Sequence, residues 1–210
     1  MSPSQKKKHD LFLVGYGVLL MLVSALAADC SPSQERHGSK PAGLELPPPA
    51  YVVTPDSLPF RFEVSARARF TCSHPQPDTY FFDVAYPDLH ARLYATWHRV
   101  DDAAHFVSLA EESRRMVYAH AVKATAIDES PYVDDTRRAY GLVYDLQGPV
   151  ATPLQVSLTD TTRFFLHASL YFEQVADSVA TEVVEYVRTD VTHMLHTFEG
   201  GRRGDGLPWR

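Results

Sequence analysis

Ten histidines in a chain of 210 residues raise metal chemistry first. His193 and His196 stand three apart near the C-terminus, but the H-E-x-x-H spacing and its glutamate are absent. A helix with a buried valine stripe presents both on its solvent flank. Asp160 and His167 offer an acid–base pair for a hydrolase, one in a turn and the other in the strand that follows. No G-x-S-x-G elbow and no glycine-rich phosphate loop accompanies them. Asp101-Asp102 and Asp134-Asp135 lack the oxygen-ligand spacing of a calcium loop. Cys72 has no Cys–His arrangement around it and reads as a part-buried, inert thiol. Arg203-Gly204-Asp205 matches an adhesion tripeptide, a match too short to separate from chance in a glycine-rich end. His120 and Lys123 fall where a helix ends, and cations there suit the negative end of its dipole. The residues assemble no catalytic, cofactor-binding or metal-ligating set, so the reading is a protein that is not an enzyme.

The elements that hold these residues are legible from periodicity. Leu154, Val156 and Leu158 alternate with polar neighbours, Thr159 to Thr162 break the pattern as a turn, and a second strand runs to Phe172. That second strand is largely apolar on both faces, which places the hairpin centrally, covered on both sides. Tyr80 to Tyr86 and Ala91 to Val100 form another hairpin about Pro87-Asp88, and Phe60, Phe62 and Val64 alternate ahead of it. Asp101 or Asp102 caps a helix to about Ala119, with Phe106, Leu109, Ala110, Ser113 and Val117 inward and a Glu111–Arg115 pair outward. Strand signals return at Thr125 to Ile127 and Ala139 to Leu146. A last helix, capped by Asp177 and ended by Gly200-Gly201, carries a stripe of Val179, Val183, Val187, Val191, Leu195 and Phe198. Short hairpin connections mean antiparallel neighbours, hence an α+β fold: a mainly antiparallel sheet flanked by two helices.

Lys6-Lys7-Lys8 precede the apolar run Leu11 to Ala28, the pattern of an export signal over residues 1–29. Cys30 then stands where a bacterial lipoprotein is acylated, although Asp29 occupies the position that normally holds a small residue. Lipidation of Cys30, cleavage after Ala25-Leu26-Ala27, and an uncleaved anchor are the three readings. The run would span roughly 27 Å as a helix, marginal for crossing a bilayer. All three put the folded part outside the cytoplasm. Residues 30–57, rich in Pro and Ser, read as a tether; 58–199 as one α+β domain; 200–210 as a disordered tail. The formal charge is −6, and no basic face with interleaved aromatics exists, which excludes nucleic acid as a partner.

Four segments, taken in order, resemble a known family. They are His120-Ala121-Val122-Lys123-Ala124, then Tyr140-Gly141-Leu142-Val143-Tyr144-Asp145-Leu146-Gln147-Gly148, then Gln155 to Asp160 continuing to Leu170-Tyr171-Phe172. The last is Arg188-Thr189-Asp190-Val191-Thr192-His193-Met194-Leu195-His196-Thr197-Phe198. Their order and spacing over about Leu58 to Phe198 are similar to the gliding-motility lipoprotein GldD family of Bacteroidota. The resemblance implies an envelope lipoprotein without enzymatic activity or cofactor, required for gliding motility and for the type IX secretion system, acting beside other lipoproteins of that machinery. Separately, the pattern of strands with two flanking helices is similar to the Mog1p/PsbP-like sandwich. The membrane contact would be the N-terminal lipid anchor, in either membrane, with the domain facing the periplasm. The alternative is a periplasmic small-ligand or cell-wall-binding module with a pocket between sheet and helix lined by Tyr94, Trp97, Tyr144 and Tyr171.

Overall fold

The computed structural model describes residues 45–173 and 179–200, apart from the side chains of Pro75, His120 and Ala121. The signal segment, Cys30, the tether before residue 45, Asp177 and the Arg203-Gly204-Asp205 tail lie outside the described residues, as does the side chain of His120. Nine strands and two α-helices are described. They are β1 (Tyr51–Val53), β2 (Glu63–Ser65), β3 (Arg69–Gln76), β4 (Thr79–Tyr86), β5 (Ala91–Arg99), α1 (Ala103–His120), β6 (Ala126–Asp134), β7 (Ala139–Gln147), β8 (Leu154–Thr159), β9 (Phe164–Phe172) and α2 (Thr181–Thr197). β1 pairs with β2 in a small sheet of its own. The other seven form one antiparallel sheet in the order β3-β4-β5-β9-β8-β7-β6. The fold is α+β, as expected.

Two meanders make the large sheet: β3-β4-β5 before α1, and β6 to β9 after it. Their seam is the pairing of β5 with β9, Ala91 opposite Phe172 through Arg99 opposite Phe164. β9 is therefore the middle strand. Every residue of β8 is buried, and only His167 and Tyr171 of β9 are partly open. This is the two-sided cover that their apolar faces call for.

On one face, Leu93, Ala95 and Trp97 of β5 and Leu154, Val156 and Leu158 of β8 meet Val183, Val187, Val191, Met194 and Leu195 of α2. Phe60, Phe62, Phe82 and Phe198 interleave in the same core, with ring centroids 5.0 to 6.1 Å apart. The β-branched stripe of α2 is a poor helix former alone and depends on this docking. α2 starts at Thr181 with no side-chain cap and ends at Thr197, where Phe198 turns extended. Gly200 is required for space, because a Cβ there would come within 2.2 Å of the Phe164 ring.

α1 covers the opposite face. Asp102 caps it by accepting the His105 N–H at 2.8 Å. Leu109, Ser113 and Val117 are buried, with Phe106 and Ala110 packed beside Phe165. Glu111 and Arg115 are both exposed, as the stripe requires, but they form no pair. Arg114 instead reaches Glu129 of β6 at 3.7 Å and lies over the Tyr118 ring.

Three segments differ from the sequence reading. β1, with Leu46 packed against the core, falls inside the stretch read as tether; Tyr51 stacks on His193 at 3.6 Å and holds the lead-in there. β3 carries no alternation, being a polar sheet edge. β6 runs nine residues where only Thr125 to Ile127 carried a strand signal, since Asp128 to Pro131 are the exposed residues of the other edge. Charge and proline on an edge strand discourage pairing with another chain.

Candidate functional site

The histidine pair of α2 separates. His193 Nε2 meets Glu63 Oε2 at 2.6 Å while its ring stacks on Tyr51, and His196 lies 5.7 Å from the Tyr132 ring. Among the described residues no group of three or more His, Cys, Asp or Glu side chains is placed to hold a metal ion. Asp134 closes the β6–β7 turn by accepting from the Arg137 backbone N–H and guanidinium, both at 3.0 Å. These partners hold its carboxyl below the usual range, the backbone N–H foremost. Cys72, expected to be part-buried, is an exposed free cysteine, because β3 is an edge strand. Its sulfur is shielded enough that burial raises its pKa, the opposite of what a reactive thiolate needs.

Asp160 and His167 do not meet. Asp160 Oδ1 accepts the backbone N–H groups of Thr162, Arg163 and Phe164 at 3.1, 2.7 and 3.3 Å. That carboxylate builds the β8–β9 turn, in which Thr161 takes a φ of 69°.

His167 instead forms a chain that sequence reasoning missed, because its partner stands 54 positions away on α1. Ser113 Oγ lies 2.8 Å from His167 Nδ1, His167 Nε2 lies 3.1 Å from Ser169 Oγ, and Ser169 donates to Gln155 Oε1 at 3.1 Å. Each ring nitrogen of His167 thus faces one hydroxyl, and the chain ends on the buried Gln155 amide. The Ser113–His167 contact is that of a serine beside a histidine. Nε2 faces a neutral hydroxyl where a carboxylate would stabilise an imidazolium. Ser113 sits mid-helix, where the backbone N–H groups are committed to helical bonds and cannot form an oxyanion hole.

The chain lies at the wall of a groove. α1 rests on the β7–β9 half of its sheet face and leaves the β3–β5 half open. Phe81 and Tyr94 are 46% and 47% exposed there, large values for aromatic strand residues. Three hollows run along this strip. The first, of 270 Å³, lies beside Leu109, Ser113 and Met116; the second, of 370 Å³, beside Tyr94, Ser169 and Tyr171. They share Phe81, Thr96, Met116 and His167. The third, of 760 Å³, shares Tyr94 and Tyr171 with the second and continues to His90 and Arg92. Of the four aromatics expected to line a pocket, Tyr94 and Tyr171 do so. Trp97 points into the α2-side core, and Tyr144 packs with Val117 under α1.

A second polar cluster is closed to ligands. Asp190 of α2 is 3% exposed, its carboxylate is faced by the Tyr51 and Tyr86 hydroxyls, and it lines a 10 Å³ cavity with Ser65 and Tyr86. That is room for no more than a single water. Burial first, and the Asp190 charge next, push the Tyr51 hydroxyl up to about 12 and raise Tyr86 as well.

The described residues form an α+β domain with a filled core and a groove along the open half of one sheet face. The family model for the gliding motility lipoprotein GldD matches residues 35–199, and the chain belongs to that family. No curated protein gives a match. Membership makes the chain a lipoprotein of the cell envelope associated with gliding motility. No helix among the described residues is long and apolar enough to cross a membrane. Two of the family-like segments meet on the α2 side, where Asp145 pairs with Arg188.

Proposed function

We propose that this protein is a non-enzymatic accessory lipoprotein that serves gliding motility and type IX secretion. It would be exported by residues 1–29, acylated on Cys30 and held facing the periplasm. The family match over 35–199 carries this reading, and the incomplete surroundings of the Ser113–His167 pair support its non-enzymatic side. Its partners in this reading are other lipoproteins of the same machinery, met through exposed hairpin turns and helix flanks. The test is a deletion strain complemented with the wild-type chain or with Cys30→Ala. Loss of spreading and of secretion, restored by the wild type only, is the expected result. A deletion strain that glides and secretes normally refutes it.

The open groove favours a second, compatible reading as a binding module for an envelope component. It differs from the pocket expected between sheet and helix, because it lies on the uncovered half of the sheet face beside α1.

A further inference from the structure

An apolar hollow stands open at one end of the groove beside α1. It holds 270 Å³, just under the roughly 300–1,000 Å³ of ligand pockets. Phe81, Leu109, Met116 and Phe165 line it, with Thr96 and Glu112 among its polar groups. Phe81 is 46% exposed and Met116 38%. Large apolar side chains gathered at one hollow with that exposure mark a contact surface, unlike scattered surface residues.

The same chain carries a group that fits. Beyond the last described residue, Gly200, the sequence reads Gly201-Arg202-Arg203-Gly204-Asp205-Gly206 and then Leu207-Pro208-Trp209-Arg210. Six residues without an apolar side chain, three of them glycine, precede a compact apolar group. By composition this is a linker followed by an anchor. Pro208 fixes one backbone angle beside Trp209, which lowers the entropy lost on docking.

Reach and charge both select this hollow. Gly200 lies against the Phe164 ring, on the α2 side of the sheet. Phe165, the next residue, faces the other side and lines the hollow, as does His98 opposite it in the register. The linker therefore starts at the strand end where the hollow begins. Packed layers lie roughly 10 Å apart, and six extended residues span at most about 20 Å, so Leu207 and Trp209 reach the hollow around that end. The far hollow, at His90, lies roughly 26 Å further along β5 at about 3.3 Å per residue. Around the near end stand the carboxylates of Asp78, Asp101, Asp102, Asp160 and Glu112 against the guanidinium groups of Arg99 and Arg163. Residues 201–210 hold three arginines and one aspartate, and Arg202 and Arg203 belong to the part that passes these carboxylates. The two balances are complementary.

We infer that Leu207-Pro208-Trp209 docks in this hollow as an intramolecular plug. The indole packs on Phe81 and Met116, and its N–H has the Glu112 carboxylate or the Thr96 hydroxyl to donate to. Anything else that enters the groove at this end must first displace the plug. The contact lies within one chain, so the inference stands or falls apart from both readings proposed above.

Fluorine NMR of the full chain, labelled with 5-fluorotryptophan and held in a polyoxyethylene detergent, tests it. Trp97 and Trp209 are the two tryptophans, and Trp209→Phe assigns their resonances. Trp209 is expected away from its position in the urea-unfolded chain. Phe81→Ala and Met116→Ala each lower the ratio of docked to undocked plug about fivefold to tenfold, which moves the Trp209 resonance back towards the unfolded position. The Trp97 resonance, from the core on the other face, stays in place and shows that the variants are folded. A second measurement alters the tail alone: in a chain labelled at its methionine methyl groups, Trp209→Ala removes a ring-current shift from the Met116 methyl. A wild-type Trp209 at the unfolded position overturns the inference, as does a Met116 methyl that Trp209→Ala leaves unmoved. So does a displaced Trp209 that neither groove variant moves, because the indole is then held by the detergent or by another face. A Trp209 resonance that returns to the unfolded position on dilution overturns it as well, since the hollow then takes this segment from a second copy.

Discussion

His98 couples the groove wall to pH. Burial pushes its pKa below the ordinary value, the nearby His105 adds to this, and Glu112 opposes it. Thr79 Oγ1 lies 3.2 Å from its Nδ1 on the neighbouring strand. A histidine depressed in the folded state binds fewer protons there than in the unfolded chain. Its contribution is complete above the unfolded pKa of about 6.5 and is lost as pH falls towards the folded value. Melting temperatures measured between pH 5 and 7.5 should therefore drop on the acid side, and His98→Gln should flatten that drop. An equal slope in the variant assigns the acid loss to other groups. The Ser113–His167 pair makes a separate prediction. With Nε2 of the imidazole facing the Ser169 hydroxyl and Ser113 in the middle of a helix, Ser113 should stay unlabelled by a fluorophosphonate probe that labels an active serine hydrolase in parallel. Labelling that Ser113→Ala abolishes would show a nucleophile and contradict the non-enzymatic reading.

The elements depend on two local devices that substitution can isolate. Gly141 lets β7 approach β8 so closely that a Cβ there would lie 1.9 Å from the Ser157 carbonyl oxygen. Gly141→Ala must push the strands apart and should cost about 2 kcal/mol or more, read as a lowered denaturation midpoint. Asp102→Ala removes the cap of α1 and should cost about 1 kcal/mol by the same measurement. Both devices bear on how much the sequence could show. The β4–β5 and β8–β9 hairpins, α1 and the α2 stripe were legible because each buries a face at the period of its element. β3 and most of β6 were not, since a sheet edge keeps no apolar alternation. The groove was half legible. Tyr94 and Tyr171 stood out as aromatics, but Trp97 and Tyr144 were placed with them, because nothing local tells which face of a two-sided strand a helix will cover. The Ser113–His167 contact depends on the α1 crossover and the β5–β9 seam, and neither has a local signal.

At the scale of the molecule, the first and last described segments of the domain close the same layer. Arg61 and Glu199 exchange backbone hydrogen bonds at 2.9 and 2.7 Å, and the Glu63 N–H donates to Thr197 Oγ1 at 3.0 Å. Phe60 is the centre of this closure. It is fully buried, and its ring contacts Phe62 of the lead-in, Tyr80 and Phe82 of β4, Trp97 of β5 and Phe198 past α2. One side chain thus joins the start, the middle and the end of the fold. Phe60→Ala should cost about 3–5 kcal/mol, a large fraction of the roughly 5–15 kcal/mol that stabilises an ordinary domain. The loss should appear in one cooperative transition, because α2 has no other surface on which to bury its valines. Far-ultraviolet and near-ultraviolet circular dichroism followed through the same denaturant series will check this. Coincident, strongly lowered midpoints fit a single core closed by both ends. A near-ultraviolet signal lost well before the helical signal would mean that the lead-in detaches alone, and that the α2 layer is stable without it.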